Sequence, residues 1–191
     1  MARIKNNPLV QGASGNVGKK FVYKKRGNDT FITLMPETDK NAKPTEQQEK
    51  VRDLFLAASG YATSAIADPK IKAQYQKKAK AKSGVTAYNI AFRDYLKAPV
   101  VKKTDTSTYN GTPGSQIVIT AVDDFRVIEV TVSIKTAAGV LVEEGTAILN
   151  PLHRDEWIYT ATQNNAVLAG SIILATAKDL PGNKGILQTT L

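Results

Sequence analysis

Ala169-Gly-Ser-Ile-Ile-Leu-Ala-Thr-Ala-Lys-Asp-Leu-Pro-Gly-Asn-Lys-Gly-Ile-Leu-Gln-Thr-Thr190 is the stretch whose reading decides the fold. Ala169 to Ala177 reads as a strand, Pro181-Gly182-Asn183 as a turn and Gly185 to Thr190 as the returning strand, because apolar and β-branched residues suit a pleated surface and Pro, Gly and Asn punctuate it. Working back toward the N-terminus, the same texture recurs at Gln116 to Val122, Val127 to Lys135, Val140 to Leu149 and Trp157 to Thr162. Asp123-Asp124, Ala138-Gly139 and Asn164-Asn165 mark the turns between them. Closely spaced short strands of this kind predict an antiparallel β-sandwich over residues 115–191. Trp157 and Tyr159 share strand parity, so one face takes both and the core is their expected destination.

Upstream the texture changes. Residues 98–114 are rich in Thr, Ser, Asp, Asn, Pro and Gly and read as polar connection, with the linker placed at 101–114. Before it, about three helices are expected between Pro44 and Leu96. Thr45-Glu-Gln-Gln48 has the form of a capping box, and Val51, Leu54, Phe55, Ala58, Ala62, Ala65 and Ile66 form an apolar stripe expected to pack. Asp68-Pro69 starts a second helix, with Asp as N-cap and Pro in the first turn. Tyr88, Ala91, Phe92, Tyr95 and Leu96 mark a third, stopped by Pro99. The chain is thus read as α+β in two parts, with residues 1–100 forming a basic arm, a β-hairpin and a helical domain.

The segment Gly12-Ala-Ser-Gly-Asn-Val-Gly-Lys-Lys-Phe-Val-Tyr-Lys-Lys25 invites comparison with a phosphate-binding loop. The match fails: Gly12 sits one place too early, Lys20 replaces the magnesium-binding hydroxyl, and Phe21-Val22-Tyr23 predicts a strand where such a loop opens a helix. The glycines are expected to loosen an entry segment before a hairpin whose strands flank Arg26-Gly27-Asn28. Alternation puts Phe21 and Tyr23 on one face and Lys20, Val22, Lys24 and Arg26 on the other.

The net charge of +9 hides an asymmetry: residues 1–103 carry 21 basic and 8 acidic side chains, and residues 104–191 carry 5 and 9. Such a split points either to a basic half facing nucleic acid or to opposite halves of neighbouring copies in contact. A candidate basic surface comprises Lys19, Lys20, Lys24, Lys25, Arg26, Lys77, Lys78, Lys80 and Lys82, although lysines at a helix end also serve simply to solvate it. The sequence has no cysteine, which excludes disulfides, thiolate metal sites and a cysteine nucleophile. The first residues lack the apolar core of a signal peptide, and no run approaches the length of a membrane span. A folded, soluble product of the cytoplasm is expected.

Ile119 to Phe125, Val127 to Ile134 with Gly139, Trp157 to Ala161, and above all Ala175-Thr-Ala-Lys-Asp-Leu-Pro-Gly-Asn183 resemble a bacterial immunoglobulin-like domain. In that pattern an alanine-rich strand is followed by Asp-x-x-Gly-Asn, met here by Asp179 to Asn183. The resemblance covers about the last 80 residues and implies a fold rather than a ligand. The glycine-rich start, the basic strand pair, Pro44-Thr-Glu-x-Gln48 and Ala67-Asp-Pro69 before a Tyr- and Lys-rich helix resemble the N-terminal part of uncharacterised proteins from Bacteroidetes bacteria and their phages. That likeness implies a place in a phage particle.

No catalytic constellation emerges. His153, the single histidine, sits in the turn Asn150 to Glu156 without a recognisable nucleophile or orienting partner. The pairs Asp123-Asp124, Glu143-Glu144 and Asp155-Glu156 offer hard oxygens, but adjacent strand residues point to opposite faces, so no metal site or cofactor is expected. The leading expectation is a non-enzymatic structural component of a large assembly, a virion protein at the capsid surface, neck or portal vertex, whose partners are copies of itself and other virion proteins. The alternatives are a sequence-independent nucleic-acid-binding protein acting through the basic half, and a cell-surface or carbohydrate-binding module.

Overall fold

The structure, a computed structural model, describes residues 2–4, 7–10, 12–26, 29–37, 43–79 and 85–191. The chain falls into two compact units, Met1–Thr45 and Glu46–Leu191. The division differs from the one drawn at residue 100 on composition.

The first unit is a four-stranded antiparallel sheet. Its strands are β1 (Ala2–Ile4), β2 (Gly15–Val17), β3 (Phe21–Arg26) and β4 (Asp29–Leu34), in the order β1-β4-β3-β2. The expected hairpin is present, with Phe21 opposite Leu34 and Arg26 opposite Asp29. The glycine-rich segment does more than loosen the entry: Gly15–Val17 is itself a strand paired with β3. Gly18 and Lys19 both take positive φ, 60° and 56°, and Lys20 N–H donates to the Val17 carbonyl. With Val17 opposite Phe21, residues 18–20 form the loop, and Gly18 adopts its left-handed conformation without steric cost.

The second unit joins helices and sheets. Helices α1 (Glu46–Ala67), α2 (Pro69–Lys78) and α3 (Ala87–Leu96) lie where the periodicity put them. Asp68 caps α2 as expected, its carboxylate accepting from Lys70 N–H at 2.7 Å and Ile71 N–H at 3.3 Å. The α1 stripe is only half core. Ala58, Ala62 and Ala65 are buried, whereas Val51, Leu54 and Phe55 of the same stripe are exposed. Small residues occupy the part of α1 that packs with Tyr75 and Ala91, and the bulky residues sit nearer its start, where they stay about half exposed or more, Phe55 meeting only the edge of the Phe92 ring among aromatic side chains of the described residues.

Eight strands follow: β5 (Val100–Asp105), β6 (Gln116–Val122), β7 (Val127–Lys135), β8 (Leu141–Thr146), β9 (Ile148–Leu149), β10 (Glu156–Thr160), β11 (Ile172–Asp179) and β12 (Lys184–Thr190). They form two antiparallel sheets, β5-β6-β10-β9 and β12-β11-β7-β8. One core draws on both: Ile117, Ile119 and Tyr159 come from the first, and Val130, Val132, Ile134 and Ile173 from the second. Each of these large side chains contributes about 1.5–3 kcal/mol by leaving water. Trp157 and Tyr159 are buried in this core as their parity demanded. The arrangement is compatible with a β-sandwich and makes the chain α+β.

Two details depart from the sequence reading. The single strand expected from Val140 to Leu149 is two: β8 belongs to one sheet and β9 to the other, and buried Ala147 lies at the crossing. The expected linker contains β5, which pairs with β6 through a bulge at Val101 and Lys103 that breaks the two-residue period by which strands are recognised. The rest of that polar segment is folded as well. Tyr109 is buried, the Gly111 carbonyl accepts from Asn165 N–H at 2.8 Å, and Gly114 N–H donates to the Ala161 carbonyl at 2.8 Å.

Helices and sheets are tied together by the β11–β12 turn. The Asp179 carboxylate accepts from Gly182 N–H at 2.8 Å, Asn183 N–H at 2.6 Å and the Asn183 side-chain amide at 2.8 Å. That amide also donates to the carbonyls of Asp94, at 3.3 Å, and Tyr95, at 3.2 Å, in the last turn of α3. Replacing Asn183 by Ala removes the donor from the helix end and from Asp179. A stability loss of about 1–3 kcal/mol is expected, measured by urea denaturation with an unchanged slope. Gly185 on β12 has no room for a side chain, since a β-carbon there would overlap the Pro99 carbonyl. Gly185→Ala is expected to cost about 1–3 kcal/mol in the same assay.

Candidate functional site

The nine candidate basic residues are divided between the two units. Lys19, Lys20, Lys24 and Lys25 are exposed on the first unit, and alternation along β3 turns Lys24 and Lys25 to opposite faces of the sheet. Arg26 ends the same strand. Lys77 and Lys78 belong to the last turn of α2 in the other unit, and Lys80 and Lys82 lie outside the described residues. Lys78 is engaged, its ammonium donating to the Asp124 carbonyl and standing 5.7 Å from the centre of the Phe125 ring.

Part of the charge asymmetry is answered within the second unit itself. Asp124, in the β6–β7 turn, receives Arg93 at 3.0 Å and Lys97 at 2.9 Å from the end of α3. Lys97 foremost, with Arg93, holds its carboxyl below the usual carboxylate range. Basic helices thus meet an acidic turn of the same chain. Arg126 adds a neutral link, donating to the Gln74 side chain at 2.9 Å.

Behind Asp124 lies an acidic cluster that no sequence motif brought together. Asp94 of α3, Asp123 of the β6–β7 turn and Asp179 at the end of β11 each place a carboxylate oxygen within 4.8 Å of the others. Asp94 is 1% exposed and Asp179 fully buried. One oxygen of each outer carboxylate is fixed. Tyr75 donates to Asp94 Oδ2 at 2.6 Å, and its hydroxyl lies 2.8 Å from that of Tyr61. Asp123 Oδ2 accepts from Phe125 N–H at 2.9 Å and Arg126 N–H at 2.8 Å. The other oxygens, Asp94 Oδ1 and Asp123 Oδ1, are buried without any hydrogen-bond partner.

The electrostatics follow from that geometry. Burial pushes the Asp94 carboxyl up to about 7; the nearby charges of Asp123 and Asp179 add to the rise, and the Tyr75 hydrogen bond opposes it. Burial also raises Asp179, against the pull of its bonds from Asn183 and Gly182. Tyr75 is raised by burial and by its bond to Asp94, so it stays a neutral donor. Beside the cluster a cavity of about 160 Å³ is lined by Lys78, Val85, Ile90, Arg93, Asp94, Asp124 and Phe125. Such an arrangement can hold a proton between carboxyls or accept a hard cation.

Of the acidic pairs weighed in the sequence, Glu143-Glu144 lies within a strand and separates as alternation requires. Glu143 is buried and accepts from Thr162 N–H, Thr162 Oγ1 and Gln163 N–H, while Glu144 is exposed. Glu156 accepts from the Asn150 amide at 3.2 Å, and Asp155 is exposed. His153 is exposed in its turn, and burial of Trp157 and Tyr159 removes them as aromatic platforms for sugar. Of the acidic cluster, Asp179 announced itself through Asp-x-x-Gly-Asn and Asp123 as a turn residue. Asp94 gave no signal apart from being an acid near the end of a helix.

Among the described residues no helix is long and apolar enough to cross a membrane. No protein-family model matches the sequence, and no curated protein matches it. Among solved structures, part of the chain is similar to the β-glucuronidase of Bifidobacterium dentium in complex with coumarin-3-O-glucuronide, with 16% identity and a TM-score of 0.33. The match covers 49% of this chain and 16% of that one, so the chain spans about a sixth of the enzyme's length, and the likeness carries no argument about function.

Proposed function

We propose that this chain is a non-enzymatic structural component of a large assembly that acts through contacts with further copies of itself. The observation that carries this reading is the first half of α1. Val51, Leu54, Phe55 and Leu56 are 49% to 72% exposed, and Val51, Phe55 and Leu56, with Arg52 and Ser59, line a shallow groove. A contiguous apolar helix face of this kind is the ordinary anchor of a protein interface. The phage particle is the setting we favour, at the capsid surface, neck or portal vertex, on the strength of the N-terminal sequence resemblance.

We further read the two-sheet body as immunoglobulin-like. Numbered along the body, the strands run 1-2-6-5 in one sheet and 8-7-3-4 in the other. That is the constant-type order with one extra edge strand beside the third. The chain departs from antibody domains in having no cysteine pair and in carrying Trp157 on the sixth strand rather than the third.

Light scattering on nuclease-treated protein tests the assembly reading. A defined oligomer is expected, and it should persist at high salt because the contact is apolar rather than ionic. Val51→Asp with Leu56→Asp should weaken association at least about tenfold, the loss of one or two buried aliphatic side chains. A wild-type protein that stays monomeric at every concentration would sink the proposal.

A second reading is supported by the first unit, where nine basic residues face three acidic ones across residues 1–45. If that unit grips nucleic acid, duplex DNA binds without sequence preference. Changing Lys19, Lys20, Lys24 and Lys25 to Gln then flattens the slope of log affinity against log salt by roughly 3–4. Absence of binding at low salt rejects this reading.

A further inference from the structure

We infer that Asp94, Asp123 and Asp179 form a binding site for a divalent cation of the calcium type, which ties α3 to the β6–β7 and β11–β12 turns. The spacing is the first argument. Calcium binds oxygens at about 2.3–2.6 Å, so two ligands of one ion lie at most about 5 Å apart, and the three carboxylates offer oxygens within 4.8 Å of one another.

The second argument is the pair of orphaned oxygens. Asp94 Oδ1 and Asp123 Oδ1 are buried and unpartnered, although the other oxygen of each group is held by Tyr75 or by backbone N–H groups. Those bonds orient the carboxylates and leave one acceptor on each uncommitted. Buried acceptors are nearly always satisfied, and two ionised carboxylates have nothing to donate to each other, so either a shared proton or a cation must join them. Asp179 has both oxygens in hydrogen bonds, yet a carboxylate retains further lone pairs for a metal.

The third argument is charge. The nearby cations are spent elsewhere, Arg93 and Lys97 on Asp124 and Lys78 on the Asp124 carbonyl. Three clustered carboxylates in a largely buried junction are costly unless a positive charge joins them. Calcium suits the site better than magnesium, since it tolerates irregular shells and completes them with carbonyls and water, whereas magnesium demands a near-ideal octahedron. A cavity lined by Asp94 adjoins the site.

The test uses the full chain stripped with EDTA. Calcium chloride at 1 mM should raise the melting temperature by about 5–10 °C, the effect of saturating a site a hundredfold, and magnesium should raise it less. Terbium should show tyrosine-sensitised luminescence that calcium quenches by competition, because Tyr75 touches Asp94. Asp94→Asn and Asp123→Asn should each abolish the calcium response, and Asp124→Asn, one residue outside the cluster, should keep it. Should either cluster variant fail to fold, the wild-type terbium competition decides alone. No response of the wild type to calcium up to 10 mM, about ten times the weak limit of extracellular calcium modules, overturns the inference and leaves shared protons as the neutralising charge. A response that survives in the folded cluster variants overturns it too, by placing the ion elsewhere.

Discussion

The end of α3 depends on a side chain 88 residues away. The last carbonyls of any helix lack intrahelical donors, and here the Asn183 amide supplies one to both Asp94 and Tyr95. The same amide is held by Asp179, whose carboxylate also closes the turn through Gly182 and Asn183 N–H. One five-residue turn therefore shapes the β11–β12 connection and docks the helices on the sheets. Phe125 and Leu180, from two turns of the sheet body, pack against Ala62, Tyr75 and Ala91 and seal the joint with apolar contact.

That joint explains why residues 46–191 behave as one unit despite their change of texture. Composition separates basic helices from acidic strands, but the separation is complementary: Arg93 and Lys97 converge on Asp124, and Lys78 reaches the same residue's carbonyl. Exposed ion pairs contribute little each, typically under about 1 kcal/mol, so packing at the joint matters more than the charges around it. The charges instead set the orientation in which helices and sheets meet.

The joint also concentrates buried acid. Asp94, Asp123 and Asp179 each have a structural task, respectively accepting from Tyr75, capping the β6–β7 turn and closing the β11–β12 turn. Burial is the main cause of the rise of Asp94 to about 7, and performing those tasks in one place gathers like charges that add to it. Association through α1 would be independent of this site, because the exposed residues Val51 to Leu56 lie in the first half of that helix and the cluster lies beside the end of α3.

Much of this was legible in the chain. Period-two runs marked β6, β7, β10, β11 and β12, and Asp68-Pro69 marked the start of α2, because strand faces and helix caps are local properties written within a few residues. What remained hidden depended on distant partners. The bulge in β5 disguised a strand as a linker, Ala147 carried the chain between sheets inside one apparent strand, and the α1 stripe could not disclose that only its alanines would be covered. The sequence by itself determined the three helices, the period-two strands and the inward faces of those strands. Only the tertiary structure decided that Asp94, Asp123 and Asp179 share one buried place, since convergence of groups 29 to 85 residues apart is set by packing and has no local signature.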